Sequence, residues 1–138
     1  MAGWQWFGRL HTSAYRATRG ILGGNLVGLP MLLLTTKGRR SGEPRTSPLP
    51  YFAEDDRWVV VGSNNGGPRD PLWWLNLRAD DRAEIQVMRD RIEVRGGLAT
   101  PEERARLWPL LIEFNPRYPT YQVKTTREIP VVILSRAS

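Results

Sequence analysis

The sequence predicts a small, mostly antiparallel β-barrel with helices packed around it. Three observations carry this: six strand-like runs are joined by short turns, no strand-helix-strand unit repeats, and 138 residues match the size of one domain. At 41% hydrophobic and 25% charged the chain is too apolar for a disordered polymer, and this length buries about 70% of its unfolded surface on folding. One core without disulfide staples suffices.

Trp4, Phe7, Leu10, Ala14, Ala17 and Ile21 recur at spacings of three and four, with Gln5, Arg9, Arg16 and Arg19 mainly elsewhere on the wheel. Residues 3–20 therefore read as a cationic amphipathic helix, ended by Gly20, Gly23 and Gly24. This gives an N-terminal helix over residues 1–24 and a barrel over 25–138 within one domain. Residues 31–36, 46–52 and 58–62 are β-branched and apolar runs read as strands, with Glu54, Asp55 and Asp56 as the turn between the last two. Asp70 reads as an N-cap and Pro71 as the first helical residue of a short helix over 72–79.

Residues 83–89 and 91–98 alternate as a hairpin turned at Asp90. Thr100 and Glu103 form a capping box, so residues 101–114 are predicted helical, and Pro109 is expected to kink or split that helix. A tyrosine-rich connection follows over 116–125. Residues 129–134 close the chain as a strand, Pro130 marking either an edge position or the strand's beginning.

The absence of Cys excludes disulfides, thiolate metal sites and a cysteine nucleophile, and the lone His11 excludes polyhistidine metal clusters and argues against a Ser-His-Asp triad. No metal site is expected. The longest apolar run, near residues 29–34, is far short of the ~20 residues of a membrane-spanning helix, and no signal pattern opens the sequence. A cytoplasmic protein is expected, with residues 4–21 as the element that would touch the inner face of an anionic membrane. The net charge of +6 is local: residues 1–45 hold seven basic side chains against one acid, Glu43, and the rest of the chain is balanced. A nucleic-acid coat would spread further, so a discrete anionic ligand fits better.

The densest cluster is Thr35, Thr36, Lys37, Gly38, Arg39, Arg40, Ser41, Gly42, Glu43, Pro44 and Arg45, between two predicted strands. Four cations and two glycines in eleven residues can surround one polyanion, since glycine lets the backbone approach and Arg forks onto phosphate or carboxylate oxygens. A solvated hairpin turn is the plain alternative. No Walker A or Gly-x-Gly-x-x-Gly motif occurs. A second cluster runs from Gly62, Ser63 and Asn64 through Gly66 and Gly67 to Pro71, Trp73 and Asn76, where a glycine loop feeds a helix. Such a loop exposes backbone N–H donors suited to carbonyls or phosphates, although helix capping and core packing would explain Asp70 and Trp73 equally well.

These stretches together resemble the deazaflavin-dependent nitroreductase family, whose members use coenzyme F420. The resemblance runs from about Val27 to Leu134 through Thr35, Thr36, Gly38, Arg39, Ser41 and Gly42, the Gly62 and Ser63 loop, Pro71-x-Trp73-x-Leu75-Asn76, Trp108 with Pro109, Tyr118-x-x-Tyr121, and Ile129-Pro130-Val131. It implies a split β-barrel of the flavin-reductase kind, six-stranded and mainly antiparallel with flanking helices. It also implies an oxidoreductase moving hydride from reduced F420 to a small or lipophilic acceptor, an enone, quinone or nitro compound.

By the same likeness Lys37, Gly38, Arg39, Arg40, Ser41 and Arg45 hold the coenzyme's phosphate and glutamate tail. Pro48 and Leu49 lie under the deazaflavin ring, with Ser63, Asn64, Gly66 and Gly67 beside it. Pro71, Trp73 and Asn76 belong to the motif helix, and Tyr118 and Tyr121 line the acceptor side as candidate proton donors. Pro50 and Asn64 depart from the aromatic and Lys of some members, which argues against nitroimidazole activation and favours an enone or quinone. A hydride donor accounts for the missing Cys, metal and triad: the protein supplies orientation and a polarising donor. An FMN protein on the same barrel and a non-catalytic carrier of a cofactor or lipid are the alternatives, and monomer and dimer stay equally open.

Overall fold

The computed structural model describes residues 28–137, so the expected N-terminal helix and the boundary near residue 24 lie outside the described residues. Seven strands and three helices follow in the order β1 (Met31–Lys37), β2 (Pro44–Pro50), β3 (Phe52–Glu54), β4 (Arg57–Val61), α1 (Leu72–Ala79), β5 (Arg82–Val87), β6 (Asp90–Leu98), α2 (Pro101–Phe114), α3 (Arg117–Lys124) and β7 (Val131–Arg136). All pairings are antiparallel in the sheet order β2-β1-β5-β6-β7-β4-β3.

That order requires curvature. β2 and β3 are the two edges, yet only Tyr51 separates them. Seven flat strands would set those edges about 29 Å apart, whereas the link from residue 50 to residue 52 spans at most about 7 Å. The sheet must curl into a half-barrel that brings its edges together, and the expected 46–52 strand accordingly divides in two at Tyr51. Prolines permit this edge. The Tyr51 N–H donates to the Pro30 carbonyl at 3.1 Å, so odd-numbered amides of β2 face β1 and even-numbered ones face outward. Pro44, Pro48 and Pro50 are all even, and each places its missing donor where no neighbour needs it.

The barrel interior collects Leu32, Leu34, Val60, Ile85, Val94 and Leu134, and α1 closes it with Trp73, Trp74 and Leu77. Close approach of α1 depends on Gly96, where a Cβ would lie 2.9 Å from Leu77 Cδ1. A second core on the outer face of β4 and β7 packs Val59, Val61, Val131 and Ile133 against Leu107 and Leu111 of α2 and Tyr118 of α3. Strands buried on both faces read as unbroken apolar runs, as 58–61 and 131–134 do.

Several expectations need correction. Pro109 does not split α2, which runs unbroken from its capping box, Glu103 N–H to Thr100 Oγ1 at 3.1 Å and Thr100 N–H to Glu103 Oε1 at 2.9 Å. The β5–β6 turn falls at Met88 and Arg89, with Met88 at φ 55°, and Asp90 is already paired with Val87. The tyrosine-rich connection is helix α3. Pro130 precedes β7, which lies between β6 and β4 rather than at an edge. Asp70 does not cap α1: Pro71 holds the N-cap position, and the Asp70 carboxylate pairs with Arg127 instead.

Candidate active-site groove

The β1–β2 hairpin closes through two backbone bonds, Gly38 N–H to the Glu43 carbonyl and Gly42 N–H to the Gly38 carbonyl, both 2.8 Å. Gly42 sits at φ 76°, and a Cβ on Gly38 would meet Ser41 Oγ at 2.9 Å, so both glycines are required for the turn itself. Asn76 of α1 fixes the turn from below. Its Oδ1 accepts the Arg39 N–H at 3.1 Å and its Nδ2 donates to Thr36 Oγ1 at 3.1 Å, joining helix, strand and loop through one buried amide.

A hollow of about 360 Å³ opens beneath this turn, walled by Arg39, Arg40, Ser41, Arg45, Trp73 and Asn76. Among the described residues no carboxylate lies within ion-pair distance of these three arginines; Arg45 reaches only Ser41 Oγ and the Pro44 carbonyl, both at 3.4 Å. Uncompensated guanidinium groups around a concave surface attract an anion. Lys37 does not line the hollow. It ends β1 exposed, and its charge contributes weakly to holding the Asp80 carboxyl below its ordinary value, an effect led by the hydrogen bonds from Arg82.

A second hollow of about 440 Å³ lies next to the first. Trp73 borders both, and β2 supplies residues 45–47 to one and 48–50 to the other, so the two lie end to end along the strand, together termed the groove. Pro48, Leu49 and Pro71 give this end an apolar floor, and Ser63 and Asn64 stand beside it. The segment after β4 makes a 3-10 turn over Asn64–Gly66 with three successive left-handed residues, Asn64 at φ 46°, Asn65 at 55° and Gly66 at 78°. Asn and Gly tolerate that region best. Gly66 and Gly67 do not line the groove. Gly66 lies behind it against α3, where a Cβ would come within 2.9 Å of the Tyr121 carbonyl oxygen.

α3 forms the far wall with Tyr118, Tyr121 and Arg117. Asn115 turns the chain from α2 into α3: its N–H donates to the Leu111 carbonyl at 2.8 Å, while its Oδ1 and carbonyl accept the Arg117 and Tyr118 N–H groups, each at 3.1 Å. The two tyrosines differ. Tyr118 is buried and stacked on Trp108, ring centroids 6.4 Å apart. Burial pushes its phenol up to about 12, opposed by the Asn115 side chain and assisted by Tyr121. Tyr121 stays half-buried at the groove surface.

The structure thus gathers fourteen of the seventeen residues singled out in the sequence around one groove: Gly38, Arg39, Arg40, Ser41, Arg45 and Asn76 at one end, Pro48, Leu49, Ser63, Asn64, Pro71, Trp73 and both tyrosines toward the other, with Lys37, Gly66 and Gly67 set apart from it. Sequence reasoning missed Arg117, which lies in the stretch read as a connection, and Asn115, which lies between that stretch and the predicted helix. It also missed Arg127, whose guanidinium donates to the Gly62, Ser63 and Gly67 carbonyls and to Asp70. Nothing local marks Arg127, because its partners lie some sixty positions earlier.

A family profile described as F420H(2)-dependent quinone reductase matches residues 6–136. An F420H(2)-dependent quinone reductase of Mycobacterium tuberculosis is 42% identical over 132 residues, covering 93% of this chain and 89% of that one. A solved F420-H2 dependent reductase, FDR-A, superposes with a TM-score of 0.70 at 34% identity, over 77% of this chain and 94% of its own. Another solved chain, described as a domain-swapped dimer, reaches a TM-score of 0.71 at 30% identity, over 91% of this chain and 98% of its own.

Proposed function

The chain belongs to the F420H(2)-dependent quinone reductase family, and from that premise we propose that the groove along β2 holds the coenzyme, tail at the arginines and ring at the tyrosines. The enzyme transfers hydride from reduced F420 to quinones. The end-to-end placement of the two hollows carries the proposed orientation: one is lined by arginines that have no carboxylate within ion-pair distance among the described residues, the other by an apolar floor and a phenol, and Trp73 belongs to both. A coenzyme with a phosphate and glutamate tail joined to a flat ring needs that sequence of surfaces, and the residues present fit it.

Bound reduced F420 supplies a hydride, two electrons with one proton, from its deazaflavin ring. Arg39, Arg40 and Arg45 bind the anionic tail with forked, charge-assisted hydrogen bonds. Pro48 and Leu49 support the ring plane, and the hairpin, itself held by Asn76, fixes how far along β2 the tail can slide. On the acceptor side the electron pair ends on a quinone oxygen, where negative charge builds. The Tyr121 hydroxyl donates a hydrogen bond to that oxygen, a contact stronger in the transition state than in the ground state. One further proton, from solvent through Tyr121, completes the hydroquinone. Tyr118 keeps its proton because burial disfavours the phenolate, and it serves as the packed wall behind Tyr121.

Among the described residues no helix is long and apolar enough to cross a membrane. The related chain solved as a domain-swapped dimer supports a dimer for this protein as well, to be checked by light scattering after size exclusion. The site assignment is tested by fluorescence titration of oxidised F420 against wild-type protein and a variant carrying Arg39→Ala with Arg45→Ala, followed by steady-state reduction of menadione. Equal affinities in the two proteins would refute the placement of the tail.

A further inference from the structure

Arg127 is the most heavily committed side chain beside the groove, yet it does not line it. Its Nε donates to the Gly67 carbonyl at 3.1 Å, Nη1 to the Gly62 carbonyl at 3.2 Å and to Asp70 Oδ1 at 2.8 Å, and Nη2 to the Ser63 carbonyl at 2.8 Å. The side chain is 15% exposed. Its own backbone is held in turn: the Arg127 carbonyl accepts Gln122 Nε2 of α3 at 2.7 Å, and Gln122 Oε1 accepts the Ile129 N–H at 2.9 Å. One guanidinium therefore ties the loop after β4 to the end of α3.

Peptide planarity turns this into a statement about the groove. Every peptide here is trans, so the C=O and N–H of one plane point in opposite directions. Holding the Gly62 and Ser63 carbonyls toward Arg127 turns the Ser63 and Asn64 N–H groups, on the opposite edges of the same planes, away from it. Neither N–H has a protein acceptor among the described residues, and Ser63 and Asn64 both border the groove. The three left-handed residues that follow make this a costly conformation for an untethered chain.

We propose that Arg127, with Asp70 as its counter-charge, is a positioning residue that orients the Ser63 and Asn64 N–H groups as a donor pair for a carbonyl-bearing heterocycle. It also fixes that pair relative to Tyr121, because Gly66 abuts the Tyr121 backbone on the same loop. The inference rests on the reading of the groove as the coenzyme site. Arg127 acts through the backbone it holds, not by touching the coenzyme.

The test compares wild type, Arg127→Lys and Asp70→Asn by titration with oxidised F420, following the absorption band of the bound ring, alongside thermal unfolding and hydrogen exchange over residues 62–70. Lysine keeps the charge but cannot fork onto three carbonyls. Arg127→Lys should weaken affinity about tenfold, move the bound absorption band toward that of free coenzyme, and lower kcat with quinone KM unchanged. Asp70→Asn, which leaves the carbonyl contacts in place, should show the same changes at about threefold and serves if the lysine variant does not fold. Unchanged affinity and absorption in a folded variant, even with faster exchange in the loop, would overturn the positioning role while leaving the groove assignment intact. Failure of wild-type protein to bind oxidised F420 would overturn both.

Discussion

The two ends of the groove are built by different means. At the arginine end one hairpin of consecutive residues, 38–45, supplies much of the lining, and its arginines are exposed with no carboxylate within ion-pair distance among the described residues. At the tyrosine end the wall comes mainly from three separated segments, β2, the 62–71 loop and the stretch from the α2–α3 junction into α3, held by buried contacts such as the Tyr118–Trp108 stack and the Arg127 fork. Binding a flexible, highly charged tail tolerates loose geometry because Coulomb attraction falls slowly with distance. Hydride transfer does not, since reacting atoms must be held within about 3–3.5 Å. Local sequence can encode the first; only tertiary packing can encode the second.

The largest effect that would break this contrast lies at the arginine end. Removing Arg39 and Arg45 together deletes charge-assisted bonds worth about 1.5–3 kcal/mol each, so coenzyme affinity should fall a hundredfold or more by fluorescence titration. The kcat extrapolated to saturating coenzyme should change little. Added salt should weaken wild-type binding far more than binding by the double variant. A large drop in saturated kcat would show that the hairpin also positions the ring, and the division between the two ends would fail.

The tyrosine end should answer in the opposite column. Tyr121→Phe is expected to lower kcat on menadione about tenfold to a hundredfold with coenzyme affinity nearly unchanged, water partly replacing the phenol in an open groove. Tyr118→Phe is the control, and kcat should stay within about threefold because that hydroxyl is buried beside Asn115. Its folded phenol is held near 12, above the ordinary 10, so the protonated native form is favoured. The resulting stability is whole below pH 10 and is lost as pH rises toward 12, and Tyr118→Phe should flatten that alkaline decline in a urea-unfolding series.

This division also explains what could be read from the sequence. The hairpin strands, the Thr100 capping box and the apolar runs of β4 and β7 are local signals; the box stands where it was expected and the strands within two residues of their expected bounds. The even spacing of Pro44, Pro48 and Pro50 was equally visible, but its meaning depends on which amides face β1, which only the Tyr51 to Pro30 bond reveals. Asp70 shows the limit most clearly. Its position before Pro71 satisfies every local rule for an N-cap, yet an arginine 57 residues later offers a charged partner and takes the carboxylate. Long-range pairing of this kind leaves no periodicity behind, so Arg127 was not legible; α3 and the Asn115 turn that starts it went unread for a local reason, since Pro116 and Pro119 mark the stretch as a connection.

Asn76 bridges the contrast. It is buried, and Asn76→Ala would strand the Arg39 N–H and Thr36 Oγ1, so a loss of about 1–3 kcal/mol is expected in urea unfolding. Coenzyme affinity should fall about tenfold as the hairpin loses its anchor. An unchanged affinity would mean that the arginine end works by charge alone, with no need for a fixed turn.

The smallest effect belongs to a region that should matter to neither end. Glu54, at the β3–β4 turn, accepts from Arg57 Nη2 at 2.8 Å and makes a two-pronged pair with Arg106 of α2, while Arg57 also reaches Glu103 at 3.2 Å. The Arg106 hydrogen bond, with Arg57 assisting against burial, holds the Glu54 carboxyl at about 2, below its ordinary 4.5. A depressed carboxyl stabilises the fold fully above about pH 4.5, and this contribution disappears as pH falls toward 2. Since Arg106 is half-exposed and Arg57 a third exposed, solvent screening reduces the net worth to about 1–2 kcal/mol. Glu54→Gln should therefore lower the unfolding free energy by that amount at pH 7, and the difference from wild type should close toward pH 2 in a urea series. Val61, where β4 meets the groove, stands four residues and about 13 Å along the strand from Arg57. Coenzyme affinity and kcat should accordingly stay within twofold of wild type; a larger change in either would mean that β4 transmits strain along its length, and that the tyrosine end is positioned by the whole barrel rather than by the contacts beside it.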